Sequence, residues 1–264
     1  MRRLLVLIAF AFALAGCGTA PTPEEAVSDA GKNTTDGRTA RIVVSFDDSA
    51  YVRGAFDFAE QTGVLEPDEA AGRTIVTREA VFVPITDELI STSRDRRWLA
   101  HPRADYSPLL LDPFADTPSD LLEFLTPAGE VRLIGEGEER GELVKRYSAL
   151  LDVERISRGQ EEFIAYLDDY WPGWQTEGVP FQLALDSEGR LRRADLVLAD
   201  GEELTIELFD YGVEFDATPP DASEVLTWAE YEKLLRKECE SLKKKGLEKT
   251  KPHCFRCGVA EGEV

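Results

Sequence analysis

Between residues 41 and 209, apolar side chains recur at every second position in short runs, and each run closes on a turn signal. Ile42-Val43-Val44-Ser45-Phe46 is followed by Asp47-Asp48-Ser49 and then by a second run over 51–58. A period of two belongs to a strand with one buried face, so these runs predict strands rather than helices. Further runs lie at 74–85, 97–99, 131–134, 143–153, 181–185, 191–198 and 204–209, with hairpin signals at Ser187-Glu188-Gly189 and Asp200-Gly201. Two helical patterns interrupt the series. Thr117-Pro118-Ser119-Asp120 caps a stripe of Leu121, Leu122 and Leu125 that stops at Pro127, and 157–171 carries Phe163, Ile164, Leu167 and Trp171 at helical spacing. Strands joined by hairpins or single helical excursions pair antiparallel, so the expected class is α+β with an antiparallel sheet.

The ends of the chain carry different signals. Met1-Arg2-Arg3 leads into an apolar stretch over 4–15, the length of an export-signal core and short of the ~20 residues that a spanning helix needs. Leu14-Ala15-Gly16-Cys17 resembles the bacterial lipobox, and the resemblance implies that Cys17 is diacylated and becomes the first mature residue. Two acyl chains hold a protein stably where one is marginal, since each buried methylene contributes ~0.8 kcal/mol. The implied place is the extracytoplasmic face of the cell membrane; a free cysteine in a discarded or uncleaved segment is the alternative. Residues 18–25, rich in Pro, Thr and small side chains, form a tether. Thr22-Pro23-Glu24-Glu25 caps a short helix over 23–30 that Gly31 ends. The expected divisions are a signal peptide over 1–16, lipidated cysteine, tether and short helix over 17–38, the sheet domain over 39–226, and a C-terminal helix with a cysteine-containing tail over 227–264.

Composition decides which partners are excluded. The formal charge is −21, from 51 Asp and Glu against 30 Lys and Arg, which repels nucleic acid and anionic headgroups alike. Catalytic templates are missing: there is no Gly-x-Ser-x-Gly elbow and no His-Glu-x-x-His, and of the two histidines His101 precedes Pro102 in an expected loop. Gly135-Glu136-Gly137-Glu138-Glu139-Arg140-Gly141 has the glycines of a phosphate loop, but no helix follows and three Glu repel phosphate, so it reads as an acidic hairpin turn. Asp168-Asp169 reads as a solvated face, and the sequon Asn33-Thr34-Thr35 as an exposed loop. Neither an enzymatic activity nor a cofactor is implied.

At the other end, Thr227-Trp228-Ala229-Glu230 is a capping box for a helix over 228–245 with Tyr231, Leu234, Leu235 and Leu242 on one face. From Trp228 to Val264, nine Lys and Arg face seven Glu, a mildly basic end on an acidic chain. Cys239, Cys254 and Cys257 lie here. In an exported protein oxidation is favoured, with Cys239 tied to Cys254 or Cys257; a zinc site with His253 and an unordered tail are the alternatives.

The order of these pieces resembles the half-barrel lipoproteins of actinobacteria, of the LppX and LprG type, within the LolA-like superfamily. The residues that carry the resemblance begin with Asp112-Pro113 before Leu121-Leu122-Glu123-Phe124-Leu125, followed by Val131-Arg132-Leu133-Ile134-Gly135 and Leu143-Val144-Lys145-Arg146-Tyr147-Ser148-Ala149. They continue through 183–193, then Phe209-Asp210-Tyr211-Gly212-Val213 and Ala217-Thr218-Pro219-Pro220. The resemblance covers 40–225 and implies a strongly curved antiparallel sheet, a half-barrel, wrapped around helices, with an apolar cavity that takes acyl chains. Candidate inward positions are Phe56, Phe58, Val81, Val83, Leu183, Leu185, Leu196, Leu198, Ile206 and Leu208, joined by Leu121, Leu122 and Leu125. The same side chains packed against one another make a solid core instead. Tyr166, Tyr170, Trp171 and Trp174 either rim a mouth, meet the bilayer interface or pack a helix end. The expected function is binding or shuttling of a lipid or acylated molecule by a membrane-anchored protein. The alternative is a filled, non-transporting interaction or sensor lipoprotein that contacts a membrane-protein partner.

Overall fold

In a computed structural model the chain is described over residues 20–47, 49–67, 72–85, 96–103, 122, 127–152, 179–197 and 203–244. The first element is α1 (Pro23–Asp36), followed by β1 (Thr39–Phe46), β2 (Ser49–Asp57), β3 (Thr62–Pro67), β4 (Thr74–Val76), β5 (Ala80–Pro84) and β6 (Trp98–Pro102). Next come β7 (Pro127–Glu139), β8 (Glu142–Leu151), β9 (Pro180–Leu185), β10 (Leu191–Val197), β11 (Glu203–Phe209), β12 (Val225–Thr227) and α2 (Trp228–Lys244). The strands form one sheet in the order β12-β6-β5-β4-β3-β2-β1-β11-β10-β9-β8-β7. It is open, ending at β12 and β7, and its pairs are antiparallel except β12 with β6. This is the α+β half-barrel class expected from the sequence.

Alternation along each strand puts one set of side chains on a common inner face. Ile42 and Val44 face Leu208 and Ile206 on one side and Gly54 and Val52 on the other. Ile206 and Leu204 face Ala194 and Leu196, which in turn face Leu183 and Phe181. Helix α1 lays Ala26, Val27 and Ala30 against this layer, and together they form the main core. The capping box of Thr22 and Glu25 is formed. The helix does not stop at Gly31, as expected, but continues to Asp36. Gly31 lies against Leu122, where a Cβ would meet the Leu122 carbonyl oxygen at 3.6 Å, and the buried Thr34 Oγ1 accepts the Leu191 N–H at 2.9 Å. These tertiary contacts outweigh the poor helix propensity of one glycine. Asn33 accordingly sits in a helix rather than an exposed loop, its side-chain amide donating to the Gly189 carbonyl.

Glycines on the inner face permit close packing between β2 and β3. Phe56 is the direct partner of Gly63, and a Cβ there would stand 2.3 Å from the Phe56 ring; Gly54 is likewise opposite Leu65. Aromatic and aliphatic side chains laid across glycines in the neighbouring strand are a device that bends a sheet.

Other boundaries differ from the sequence reading for local reasons. The run 74–85 is two strands, β4 and β5, because Thr77 Oγ1 exchanges hydrogen bonds with Ala80 and closes a tight turn. The β3 strand was not expected, since Gly63 and Pro67 interrupt its pattern. The acidic stretch 135–141 is largely strand: only Arg140 and Gly141, with φ of 49° and 87°, make the turn between β7 and β8. Pro127 begins β7. His101 lies in β6, not a loop, with its ring 4.4 Å from that of Trp228. The parallel β12 follows a long crossing from β11 to the far edge of the sheet, and Arg73 donates to the Asp216 carbonyl within it. The patterns over 117–121, 123–126 and 157–174 lie outside the described residues.

Candidate ligand-binding face

The inner layer gathers most of the positions expected to point inward. Phe56, Phe58, Val81, Leu183, Leu185, Leu196, Ile206 and Leu208 belong to one buried cluster, and the half-buried Val83 and Leu122 pack against it. Leu121, Leu125 and Leu198 lie outside the described residues, as do Cys17, Cys254 and Cys257. Tyr147, the partner of Leu183 on β8, joins the layer, and burial raises its phenol pKa.

Burial is uneven along the strands. The antiparallel registers bring the β1–β2 turn and the β5 C-terminus to the same end of the sheet. At the β1–β2 turn Phe46 and Tyr51, packed edge to face with centroids 5.6 Å apart, are only half-buried; Val83, also half-buried, lies nearer the row of Leu65 and Ile42. A second apolar cluster on β6, β12 and α2 consists of Leu99, Leu226 and Tyr231, with half-buried Ile85, Leu234 and Leu235 at its margin; Val83 packs against both clusters. The two clusters therefore meet at Val83 in an apolar seam between β5, β6 and α2.

The opposite end is closed by polar contacts. Thr34 of α1 takes the Leu191 N–H, and the Tyr211 hydroxyl donates to the Leu191 carbonyl. Burial pushes the Tyr211 phenol well above its ordinary pKa. The Arg190 guanidinium carbon stands 4.4 Å from the centre of the Tyr211 ring, while its nitrogens pair with Asp186 and Glu188 at 2.9 and 3.0 Å. Arg192, in the bulge of β10 between Leu191 and Arg193, is also buried there.

The outer face has different chemistry. One row across the strands reads Arg146, Ala184, Arg193, Glu207, Val43, Arg53, Glu66. Its charges are largely paired: Arg146 with Glu139 at 2.7 Å, Arg193 with Asp195 at 2.8 Å, and Arg140 with Glu207 at 2.8 Å. A cleft of about 450 Å³ opens beside Phe215 on this face, between Arg41, Arg53 and Arg73. Arg41 pairs with Asp210 at 3.2 Å, and Arg73 is held by Asp216.

Helix α2 packs Tyr231 inward and carries Cys239, which is buried and disulfide-bonded. Among the described residues there is no group of three metal-ligating side chains, and no helix is long and apolar enough to cross a membrane. The sequence reading missed Phe46, Tyr51, Thr34 and Tyr211. Phe46 and Tyr51 lie within or beside the alternating runs and were open to assignment; Thr34 and Tyr211 depend on contacts 157 and 20 residues away in sequence, which no local pattern records.

No protein-family model and no curated protein matches the sequence. Among solved structures, LprF from Mycobacterium bovis is similar over 76% of this chain and 98% of its own, with 16% identity and a TM-score of 0.48. The Mycobacterium tuberculosis lipoprotein LppX is similar over 73% of this chain and 98% of its own, with 11% identity and a TM-score of 0.45. A LolA superfamily protein from Nitrosomonas europaea covers 76% of this chain and 96% of its own, with 9% identity and a TM-score of 0.29. The actinobacterial lipoproteins and LolA-like proteins that the sequence resembles are thus represented among the similar solved structures.

Proposed function

We propose that this protein, anchored through acylated Cys17 at the extracytoplasmic face of the membrane, binds or shuttles a lipid or acylated molecule along the inner face of its sheet. The observation that carries the reading is the graded burial of that face. Its middle is sealed, while Phe46 and Tyr51 at the β1–β2 turn, and Val83 and Ile85 at the seam beside α2, stay half-buried. Apolar surface left at a seam of this kind gains free energy from an acyl chain, ~0.8 kcal/mol per methylene removed from water, and the site needs no catalytic group. A second reading, a filled interaction module, is favoured by the complete burial of Phe56 and Ile206. The two separate in one experiment. The full chain carrying Cys17→Ala is titrated with a neutral pyrene-labelled fatty alcohol and unfolded in urea, with and without Val83→Trp. A carrier binds the probe, and Val83→Trp weakens binding while the unfolding midpoint is kept. A parent chain that binds no probe leaves the interaction module.

A further inference from the structure

Resting on that reading, we infer that the ligand is an anionic amphiphile whose head, a carboxylate or phosphate, is met by Arg192 at the closed end of the inner face. Arg192 is 7% exposed, and its Nε is buried without a hydrogen-bond partner. Its neighbours show what a paired arginine looks like in this strand. Arg190 is held by Asp186 and Glu188, and Arg193 by Asp195 and Glu203. Among the described residues the contact found for the Arg192 guanidinium is the face of Tyr211, whose ring centre is 5.6 Å from its Cζ. Burying a guanidinium is costly unless an anion and its hydrogen bonds compensate, and a cation–π contact at this distance compensates only in part.

The position fits a head rather than a surface ion. Arg192 lies two residues from Ala194 and next to Leu191, both in the buried apolar cluster, and Tyr211 packs against the same cluster. By register it lies toward the β1 N-terminal end of the sheet, away from Phe46 and Tyr51, so an acyl chain with its head on Arg192 extends along the inner face toward those two rings. The planar guanidinium presents Nε–H and Nη–H side by side, the geometry that carboxylate and phosphate oxygens accept in pairs.

Competition against the same pyrene-labelled alcohol tests this with three sixteen-carbon probes that differ in the head: palmitate, hexadecyl phosphate and hexadecanol. The chain tested is the full Cys17→Ala protein. The expected result is that palmitate or hexadecyl phosphate competes about tenfold better than hexadecanol, the better of the two naming the head. Arg192→Gln is expected to abolish that preference while hexadecanol binding is kept; Arg193→Gln, which removes the same charge from the outer face, is expected to preserve it. Arg192→Lys keeps the charge without the Nε–H and is expected to lose part of the preference, which keeps the test open if Arg192→Gln does not fold. Equal competition by all three probes, or a preference unchanged in both Arg192 variants, overturns the inference alone. A protein that binds none of them, the pyrene alcohol included, overturns the carrier reading and the inference with it.

Discussion

Thr34 shows how much one hydroxyl carries in this molecule. It is fully buried in the last turn of α1, and its Oγ1 is the acceptor for the Leu191 N–H at 2.9 Å. Thr34→Val keeps the shape and leaves that N–H buried without a partner, so it is expected to cost about 1 to 3 kcal/mol in urea unfolding. Thr34→Ser, which retains the acceptor, is expected to recover most of that loss; equal losses in the two variants assign the effect to packing instead. Gly63 makes the opposite case, in which an absent side chain matters. A Cβ there stands 2.3 Å from the Phe56 ring, and Gly63→Ala is expected to overpack the β2–β3 contact by about 1 to 3 kcal/mol. Neither role follows from the sequence. Thr34 was legible as part of a sequon and Gly63 as a break in a pattern, because the partners that define them come from other elements. Phe56, Leu185 and Ile206 were legible as inward residues, since parity along a strand is a local property.

At the scale of elements, α2 depends on an ion pair that pH can remove. Arg96 and the hydroxyl and N–H of Thr227 hold the Glu230 carboxyl down at about 2, below its ordinary 4.5. A carboxylate with a depressed folded pKa stabilises fully above the unfolded value, and the contribution is lost as pH falls from about 4.5 to about 2. Fluorescence of Trp228, measured through acid titration, is expected to change over that window, and Glu230→Gln to remove that part of the change. A titration identical in the variant refutes the role given to this carboxyl. The capping box behind this contact was readable, as was the one at Thr22 and Glu25, because both ask for residues three apart. The turn between β4 and β5 was not, since Thr77-Arg78-Glu79 lacks Gly, Pro or Asn and closes instead through the Thr77 hydroxyl. The crossing from β11 to β12 and its parallel pairing rest on contacts across the whole sheet, and no run of residues announces them.

For the whole molecule, the sequence supplied the class of fold, while the order of the strands in the sheet and the meeting of two apolar clusters at Val83 emerged only from contacts between distant strands. The proposed anchor belongs to this scale. Cys17→Ala is expected to move the protein from the membrane fraction to a soluble or uncleaved form, and detergent-requiring association unchanged in that variant contradicts acylation at Cys17. Packing differs across the inner face as well. Leu185→Trp and Ile206→Trp, at sealed positions, are expected to destabilise by about 1 to 3 kcal/mol, whereas Val83→Trp, at a half-buried position between the two clusters, is expected to be tolerated and to weaken acyl binding. The most direct test of the central claim is native mass spectrometry of the full Cys17→Ala chain purified without detergent. The account predicts a bound species that carries a long-chain lipid released on denaturation, depleted in Val83→Trp. A single species at the polypeptide mass, from a protein that also binds no added acyl probe, contradicts it.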